Sequence, residues 1–153
     1  MIFQYGLNES DPDNFNRLLS AESIRGQAEL VPGHGYIIYP TANNIFMLDN
    51  FFLQLTTGIV VGSRIVQFQA IDKGANVIFS VNSLVLQGPS VSVDYSFVRD
   101  VFPSIVASGN ININLPSIPL HDVDYMTIFV GNIQAGDTFA GGWYNCRYLL
   151  LNR

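Results

Sequence analysis

The sequence predicts an all-β protein, an antiparallel sandwich of jelly-roll type, on three observations. About eight to ten short apolar stretches are separated by turns rich in Gly, Pro, Asn and Asp, as in sandwiches and jelly rolls. Residues that coat helices are scarce: nine of the twelve acidic residues are aspartate, and Lys73 is the one lysine. Apolar residues alternate in places with polar ones, as where Ile111 and Ile113 lie between asparagines, and this period of two is typical of a half-buried strand.

The first twenty residues differ from the rest of the chain. Asp11 can cap a helix whose first position is Pro12, and Phe15, Leu18 and Leu19 then share one face, so a short helical turn is expected there. A chain of 153 residues is long enough to bury its own core. We therefore divide it into an N-terminal arm, residues 1–20, and one β-sandwich domain, residues 21–153.

Strands and turns follow one another through the sandwich domain. The predicted strands are 24–30, 36–39, 46–55, 64–71, 77–81, 91–98, 111–115, 125–132 and 139–151. Tight turns are predicted at PGHG (32–35), KGAN (73–76) and QAGD (134–137), because Gly, Pro, Asn and Asp supply the backbone conformations that turns require.

The run 43–72 is unusually apolar and contains three charged residues, Asp49, Arg64 and Asp72. Its longest apolar part ends at Gly58, well short of the ~20 residues that cross a bilayer, so two strands are a better interpretation than a membrane span. Phe51 and Phe52 stand next to each other in the first strand, which predicts that both of its faces are apolar. We expect one face to pack on the core and the other on a second molecule.

Composition excludes several functions. The net charge is −5 and the pI is about 4.6, and lysines and arginines are not clustered, so neither nucleic acid nor an anionic membrane surface is an expected partner. The N-terminal sequence has no basic region followed by a long apolar stretch, so secretion by a signal peptide is not expected. Assembly in a cytosol is expected instead.

No residue pattern indicates catalysis. Cys146 is the one cysteine and is expected to be a buried, inert thiol. His121, Asp122 and Asp124 could offer ligands to a cation, but they are more typical of a solvated connection between strands. His34 and His121 are too few and too distant in sequence for a metal site of cupin type, and no G-x-S-x-G motif is present. We expect no enzyme activity, no cofactor and no metal.

Seven short motifs occur in a recognisable order between Pro32 and Leu150. They are PGHGY, a strand ending in LTT, GSR before a second strand, a D-x-G turn followed by VIF, VDYSF, NLPSIPL and IQAGDTF before an aromatic last strand. In this order the chain resembles a family of small structural proteins of tailed bacteriophages. The resemblance implies a jelly-roll-like virion component, such as a capsid decoration or cement protein, a head fibre or a vertex protein, and it carries no catalytic residue.

Two functions from different classes follow from these observations. The first is a virion structural protein on the capsid exterior that associates with itself and with the major capsid protein or another virion protein. A homotrimer is expected, and the sequence leaves a pentamer open. Its oligomer interface would use aromatic residues of the two longest strands, and its arm would anchor it to the capsid. The interface candidates are Phe51, Phe52, Trp143, Tyr144 and Tyr148, and the capsid-contact candidates are Phe3, Tyr5, Phe15, Leu18 and Leu19. The second is a receptor- or glycan-binding module of a fibre, vertex or tail, in which Trp143, Tyr144 and Tyr148 would stack on sugars.

Overall fold

A computed structural model describes residues 23–40, 44–83, 85–100, 104–107, 109–115 and 123–150 of the chain. The predicted arm and its helical turn lie outside these residues. The described backbone consists of strands, turns and irregular segments. Within these residues, no helix has the length and apolar character needed to cross a bilayer.

The described residues form eleven strands in two sheets. In spatial order, the six-stranded sheet contains β1 (Ser23–Gln27), β11 (Thr138–Leu150), β4 (Asn44–Thr56), β7 (Ser92–Arg99), β9 (Asn110–Leu115) and β8 (Ser104–Ala107). The five-stranded sheet contains β2 (Glu29–Val31), β3 (Gly35–Ile38), β10 (Val123–Gly131), β5 (Ile65–Asp72) and β6 (Val77–Asn82).

Eight of these strands have the nested pairing of a jelly roll. In chain order they are β1, β3, β4, β5, β6, β7, β10 and β11. The first pairs with the last, the second with the seventh, the third with the sixth and the fourth with the fifth, always antiparallel. Pairing of this kind folds the chain into two facing sheets. The predicted antiparallel, jelly-roll-like sandwich is therefore confirmed.

One strand pair departs from the antiparallel prediction. Strand β9 runs parallel to β7, and β8 lies beyond it at the edge of the sheet, antiparallel to β9. After β7 the chain therefore runs to the edge of the sheet as β8 and returns as β9 between β7 and β8. Strand β8 thus serves as the crossover connection that two parallel strands require. Strand β8 is not among the predicted strands. It has only four residues and follows Pro103, and proline disfavours a central strand while an edge strand tolerates it.

The predicted strand 24–30 is two strands that belong to different sheets. Strand β1 pairs with β11, whereas β2 pairs with β3. Between them, buried Ala28 donates its N–H to the carbonyl of Gly142 at 2.7 Å. The chain crosses from one sheet to the other at this residue, and no proline or turn dipeptide marks the crossing in the sequence.

The core lies between the inner faces of the two sheets. Phe51, Leu53 and Leu55 of β4 have no exposed surface, as expected for alternate residues on one side of a strand. Aromatic rings meet across the sandwich: the ring centroids of Phe68 and Phe97 are 6.4 Å apart, and those of Tyr36 and Phe51 are 5.7 Å apart. Such tilted contacts between facing sheets fix their relative position.

A fully buried ion pair lies at one end of the sandwich. Arg64 immediately precedes β5 and Asp137 immediately precedes β11, and neither side chain has exposed surface. Arg64 Nε donates to Asp137 Oδ2, and Nη2 donates to Oδ1, both at 2.8 Å. This two-bonded geometry is the strongest arrangement for a guanidinium and a carboxylate.

Loop backbone groups satisfy the rest of the ion pair. Arg64 Nη1 donates to the carbonyls of Val60 and Gly62, at 3.1 and 2.6 Å. The Asp137 carboxylate accepts the N–H groups of Gly58 and Gln134, each at 2.9 Å. Because a buried charge is tolerated only when it is paired and hydrogen-bonded, these contacts define the conformation of the loops that provide them.

A second set of buried polar groups attaches the loop between β6 and β7 to this end. The backbones of Arg64 and Gln87 exchange two hydrogen bonds, at 2.8 and 2.9 Å. The Gln87 side chain donates to the carbonyl of Leu55 at 2.8 Å and accepts from the hydroxyl of Tyr95 at 2.9 Å. Burial raises the pKa of Tyr95 to about 12, so this hydroxyl remains a donor at neutral pH.

Replacing Arg64 by methionine should destabilise the protein strongly, because Asp137 would remain buried without its counter-charge. Breaking a buried pair in this way costs about 3–5 kcal/mol. Equilibrium unfolding in urea measures the loss. The matched control is Arg147→Met: its partner Asp49 is partly exposed and keeps Arg99 at 2.9 Å, so a loss of only about 1 kcal/mol is expected. Equal losses for the two variants would contradict the prediction.

The stability of the fold should also depend on the ionisation of Asp137. Burial alone would raise its pKa, but hydrogen bonds from Arg64, Gln134 and Gly58 hold the pKa below the ordinary value of 3.8. A carboxyl with a lowered pKa stabilises the folded state above its unfolded pKa and loses this contribution as the pH falls through the folded value. Unfolding free energies measured from pH 7 downward should therefore decline below about pH 4, and less steeply in Asp137→Asn. An unchanged slope in that variant would disprove the assignment.

Candidate functional site

Phe51 and Phe52 lie on opposite sides of the six-stranded sheet. Phe51 has no exposed surface because the core of the single chain covers it, which removes it from the interface candidates. Phe52 is 39% exposed on the outer side. Successive side chains of a strand point to opposite faces, so only one of two adjacent aromatic residues can reach a partner.

Trp143 lies beside Phe52 because β11 contains a bulge. The register of β11 against β4 shifts between Gly141 and Trp143, which then pairs directly with Phe52. Gly141 and Gly142 have φ values of 91° and 80°, in the left-handed region that glycine adopts without strain. A Cβ on Gly142 would also collide with the ring of Tyr36. Two glycines thus place the indole on the outer side, where it is 45% exposed.

We call Phe52 and Trp143 the aromatic face. The guanidinium carbon of Arg25 lies 5.6 Å from the centroid of the Trp143 ring, which is cation–π distance. Tyr144, the next residue of β11, packs against the core instead. Tyr148 belongs to β11, but its side chain lies outside the described part. Of the five predicted interface residues, the structure therefore places two together on an accessible surface.

Polar side chains, of which Asp94 is charged, extend along the same side of the sheet. Their contacts join neighbouring strands: Asn145 to Asn50 at 2.9 Å, Gln54 to Asp94 at 2.8 Å, and Thr56 to Ser92 at 2.8 Å. Since these groups already bond to one another, they can be covered by a partner at a smaller desolvation cost than unpaired groups would carry. The surroundings of the aromatic face are therefore polar but largely uncharged.

The charged side chains around Asp49 are paired with one another. The Asp49 carboxylate accepts from Arg147 at 2.8 Å and from Arg99 at 2.9 Å, and both guanidinium groups also contact the sulfur of Met47. The side chains of Asp49, Arg99 and Arg147 are each 22% exposed. Asp100 lies 3.7 Å from Arg99, so the group contains two guanidinium groups and two carboxylates and offers little net charge to an ionic ligand.

A second apolar surface lies at the end of the sandwich that contains the ion pair. We call it the apolar rim: Ile59, Val60 and Val61 between β4 and β5, with Val85, Leu86 and Val91 between β6 and β7. Ile59 and Val61 are each 86% exposed, and Leu86 is 60% exposed. Hydrogen bonds join the two loops, including Ser90 N–H to the Gly58 carbonyl at 2.9 Å. Single exposed apolar residues are ordinary, but a contiguous group is typical of an interaction surface.

A groove of about 480 Å³ adjoins the second of these loops. It is lined by Val85, Leu86, Val91, Val93, Tyr95 and Ile111, with backbone and small polar residues between them. None of its lining residues is charged. Its volume lies in the ~300–1,000 Å³ range of ligand sites, and its lining suits apolar side chains.

The described residues offer little chemistry for a reaction. Burial and the Asp49 carboxylate raise the pKa of the Cys146 thiol to about 11, so at neutral pH it is protonated and unreactive. No group of three His, Cys, Asp or Glu residues in the described ranges could hold a metal ion. His121 and Asp122 lie outside the described residues, as does the side chain of Asp124. All five capsid-contact candidates in the arm, Phe3, Tyr5, Phe15, Leu18 and Leu19, lie outside them too.

The apolar rim was missed in the sequence, although a signal for it exists. The segment GIVVGS has three branched apolar residues between glycines, too short for a strand and too apolar for an ordinary loop. The sequence alone identifies it as a connection between two strands. Its exposure follows from the buried Arg64–Asp137 pair, which no local pattern predicts.

Comparisons with known proteins add one distant similarity. No protein-family model and no curated protein matches the chain. Among solved structures, a chain from the structure of infectious bursal disease virus, Gt strain, is similar over 84% of this chain and 28% of its own length, with 11% sequence identity and a TM-score of 0.36.

Proposed function

We propose that this protein is a non-enzymatic structural component of a tailed-phage virion that associates with itself and decorates or cements the capsid. The observation that carries the proposal is the aromatic face, where Phe52 and Trp143 lie side by side on the outside of a completed sandwich. The ordered motifs between Pro32 and Leu150 support the phage assignment. The capsid exterior is the proposed location, after assembly in the host cytoplasm.

The composition of the aromatic face suits a protein partner. Interfaces are enriched in aromatic residues and in arginine, and here Arg25 stacks on Trp143 beside Phe52. Phe52 and Trp143 supply apolar area, while hydrogen-bonded polar side chains surround them. We propose a homotrimer whose obligate interface buries more than ~2,000 Å² in total.

The arm, residues 1–20, is the proposed attachment to the major capsid protein or another virion protein. Its aromatic and leucine residues are too few to form a core but can order against a neighbouring surface. Several arms on one oligomer would act together, so modest individual affinities would combine into tight attachment.

A receptor- or glycan-binding module of a fibre, vertex or tail is the second candidate. The observation that favours it is Trp143, an exposed indole among amide and hydroxyl groups. Because Trp143 is the one tryptophan of the chain, its fluorescence reports on this position alone. Quenching by soluble oligosaccharides with no change in sedimentation would favour glycan binding over self-association.

Replacing Phe52 by aspartate should give a folded monomer, because the charge would be desolvated in the interface but hydrated in the free chain. Sedimentation at micromolar concentration should show about three times 16.9 kDa for the wild type and 16.9 kDa for the variant. The Trp143 emission should shift to the red in the monomer. Ser96→Asp places the same charge on the neighbouring strand, directly beside Phe52, and tests whether charge at this position has the same effect while the Phe52 ring is kept. A wild-type monomer would end the proposal of self-association.

Deleting residues 1–20 should abolish attachment to particles and leave the oligomer intact, because the sandwich holds the self-association contacts. Co-sedimentation with purified capsids lacking the protein measures attachment, and electron microscopy locates the bound protein. The matched control replaces Phe15, Leu18 and Leu19 by serine in the full-length chain. Undiminished binding by the truncated protein would move the capsid contact to the sandwich.

A further inference from the structure

The loop between β4 and β5 presents its apolar side chains to solvent and cannot withdraw them. Ile59 and Val61 are 86% exposed, while the backbone around them is held from inside by the ion pair. Arg64 binds the carbonyls of Val60 and Gly62, and Asp137 binds the N–H of Gly58. Turning the side chains inward would break hydrogen bonds to buried charges, so the loop is a preorganised apolar projection.

The groove beside the β6–β7 loop is complementary to this projection, because it is a depression lined by apolar residues. Leu86 and Val91 line its exposed part, and Ile111, which is buried, lines its interior. Its one prominent polar side-chain pair, the Tyr95 hydroxyl and the Gln87 amide, is already satisfied internally at 2.9 Å. The groove can therefore accept apolar side chains without leaving a buried polar group of this pair unbonded.

Electrostatics restrict the occupant of the groove. Neither the projection nor the groove lining has a charged side chain exposed to solvent, so nucleic acid, an anionic membrane or a charged peptide would find no counter-charge at either. An uncharged group of branched apolar side chains, rigid before binding, is the best match. Ile59, Val60 and Val61 are such a group, and every copy of the chain carries both elements at the same end.

We propose that the projection of one copy inserts into the groove of the next copy. This inference rests on the self-association proposed above and names a second contact for it, in addition to the aromatic face. The two patches differ, so the contact is head-to-tail, and a head-to-tail contact closes into a ring when the rotation permits. A cyclic trimer requires two different complementary patches on each subunit, which the projection and the groove provide.

Single substitutions test the contact in the full-length protein. Val61→Asp removes the projection and Leu86→Asp blocks the groove, and each should sediment as a monomer at a concentration where the wild type is oligomeric. Ile59→Asp provides a second projection variant. Val77→Asp is the matched control, because Val77 is 53% exposed on β6, outside the rim, and the same charge there should leave the oligomer unchanged. Thermal unfolding of each variant checks that it is folded.

Mixing the two monomeric variants separates a head-to-tail contact from a symmetric one. A copy with Val61→Asp keeps its groove, and a copy with Leu86→Asp keeps its projection, so one native contact can form between them. Native mass spectrometry should then show a dimer with one copy of each variant. A symmetric rim-to-rim contact would place both carboxylates in the same interface and give no complex.

The outcomes distinguish this inference from the broader proposal. If the wild type is a monomer, self-association and this contact both fail. If the rim variants remain oligomeric while Phe52→Asp is a monomer, the protein still associates with itself, but the inferred contact is wrong. Monomeric rim variants that do not combine on mixing would exclude the head-to-tail arrangement.

Discussion

The buried ion pair between Arg64 and Asp137 is the interaction on which one whole end of the molecule depends. It joins the loop before β5 to the loop before β11, and the backbone of Arg64 extends the connection to Gln87 in a third loop. A buried pair of this kind adds little net stability, since an apolar pair of similar volume can do as well. Its effect is on conformation, because the charges are tolerated only if the loop carbonyls and N–H groups stay where they are. The apolar rim is exposed as a consequence.

The low charge content of the chain has a structural counterpart. Charged residues make up 12% of the sequence, about half the ~25% of ordinary soluble domains. Several of those described are used inside the molecule, as in the Arg64–Asp137 pair and in the group around Asp49. Amides, hydroxyls and apolar groups supply much of the remaining surface, and they repel a second copy less than charged groups would.

Local patterns in the sequence predict the strands well and their pairing less well. The alternation of Ile111 and Ile113 with asparagines places β9 within one residue, and the turn before β6 forms where predicted, with the Asp72 carboxylate accepting the N–H groups of Gly74 and Asn76. Both depend on neighbouring residues. The crossing at Ala28 and the parallel β9 depend instead on contacts between distant segments. The aromatic face depends on both local and distant residues. Glycines 141 and 142 are visible in the sequence, but the bulge that aligns Trp143 with Phe52 exists only in the pairing of β11 with β4.

The apolar run 43–72 can now be divided by what covers it. The inner sides of β4 and β5 are covered by the opposite sheet, so Leu53 and Val66 need no second molecule. What the single chain leaves uncovered is Phe52 on one strand and the loop with Ile59 and Val61. These two exposed apolar surfaces differ physically. Phe52 lies on the outer face of a flat sheet and contributes apolar contact area. The loop is a projection held by buried charges and contributes a defined shape. Flat apolar area tolerates many relative orientations of two copies, but a projection in a groove allows few, so the geometry of an assembly would be determined at the rim.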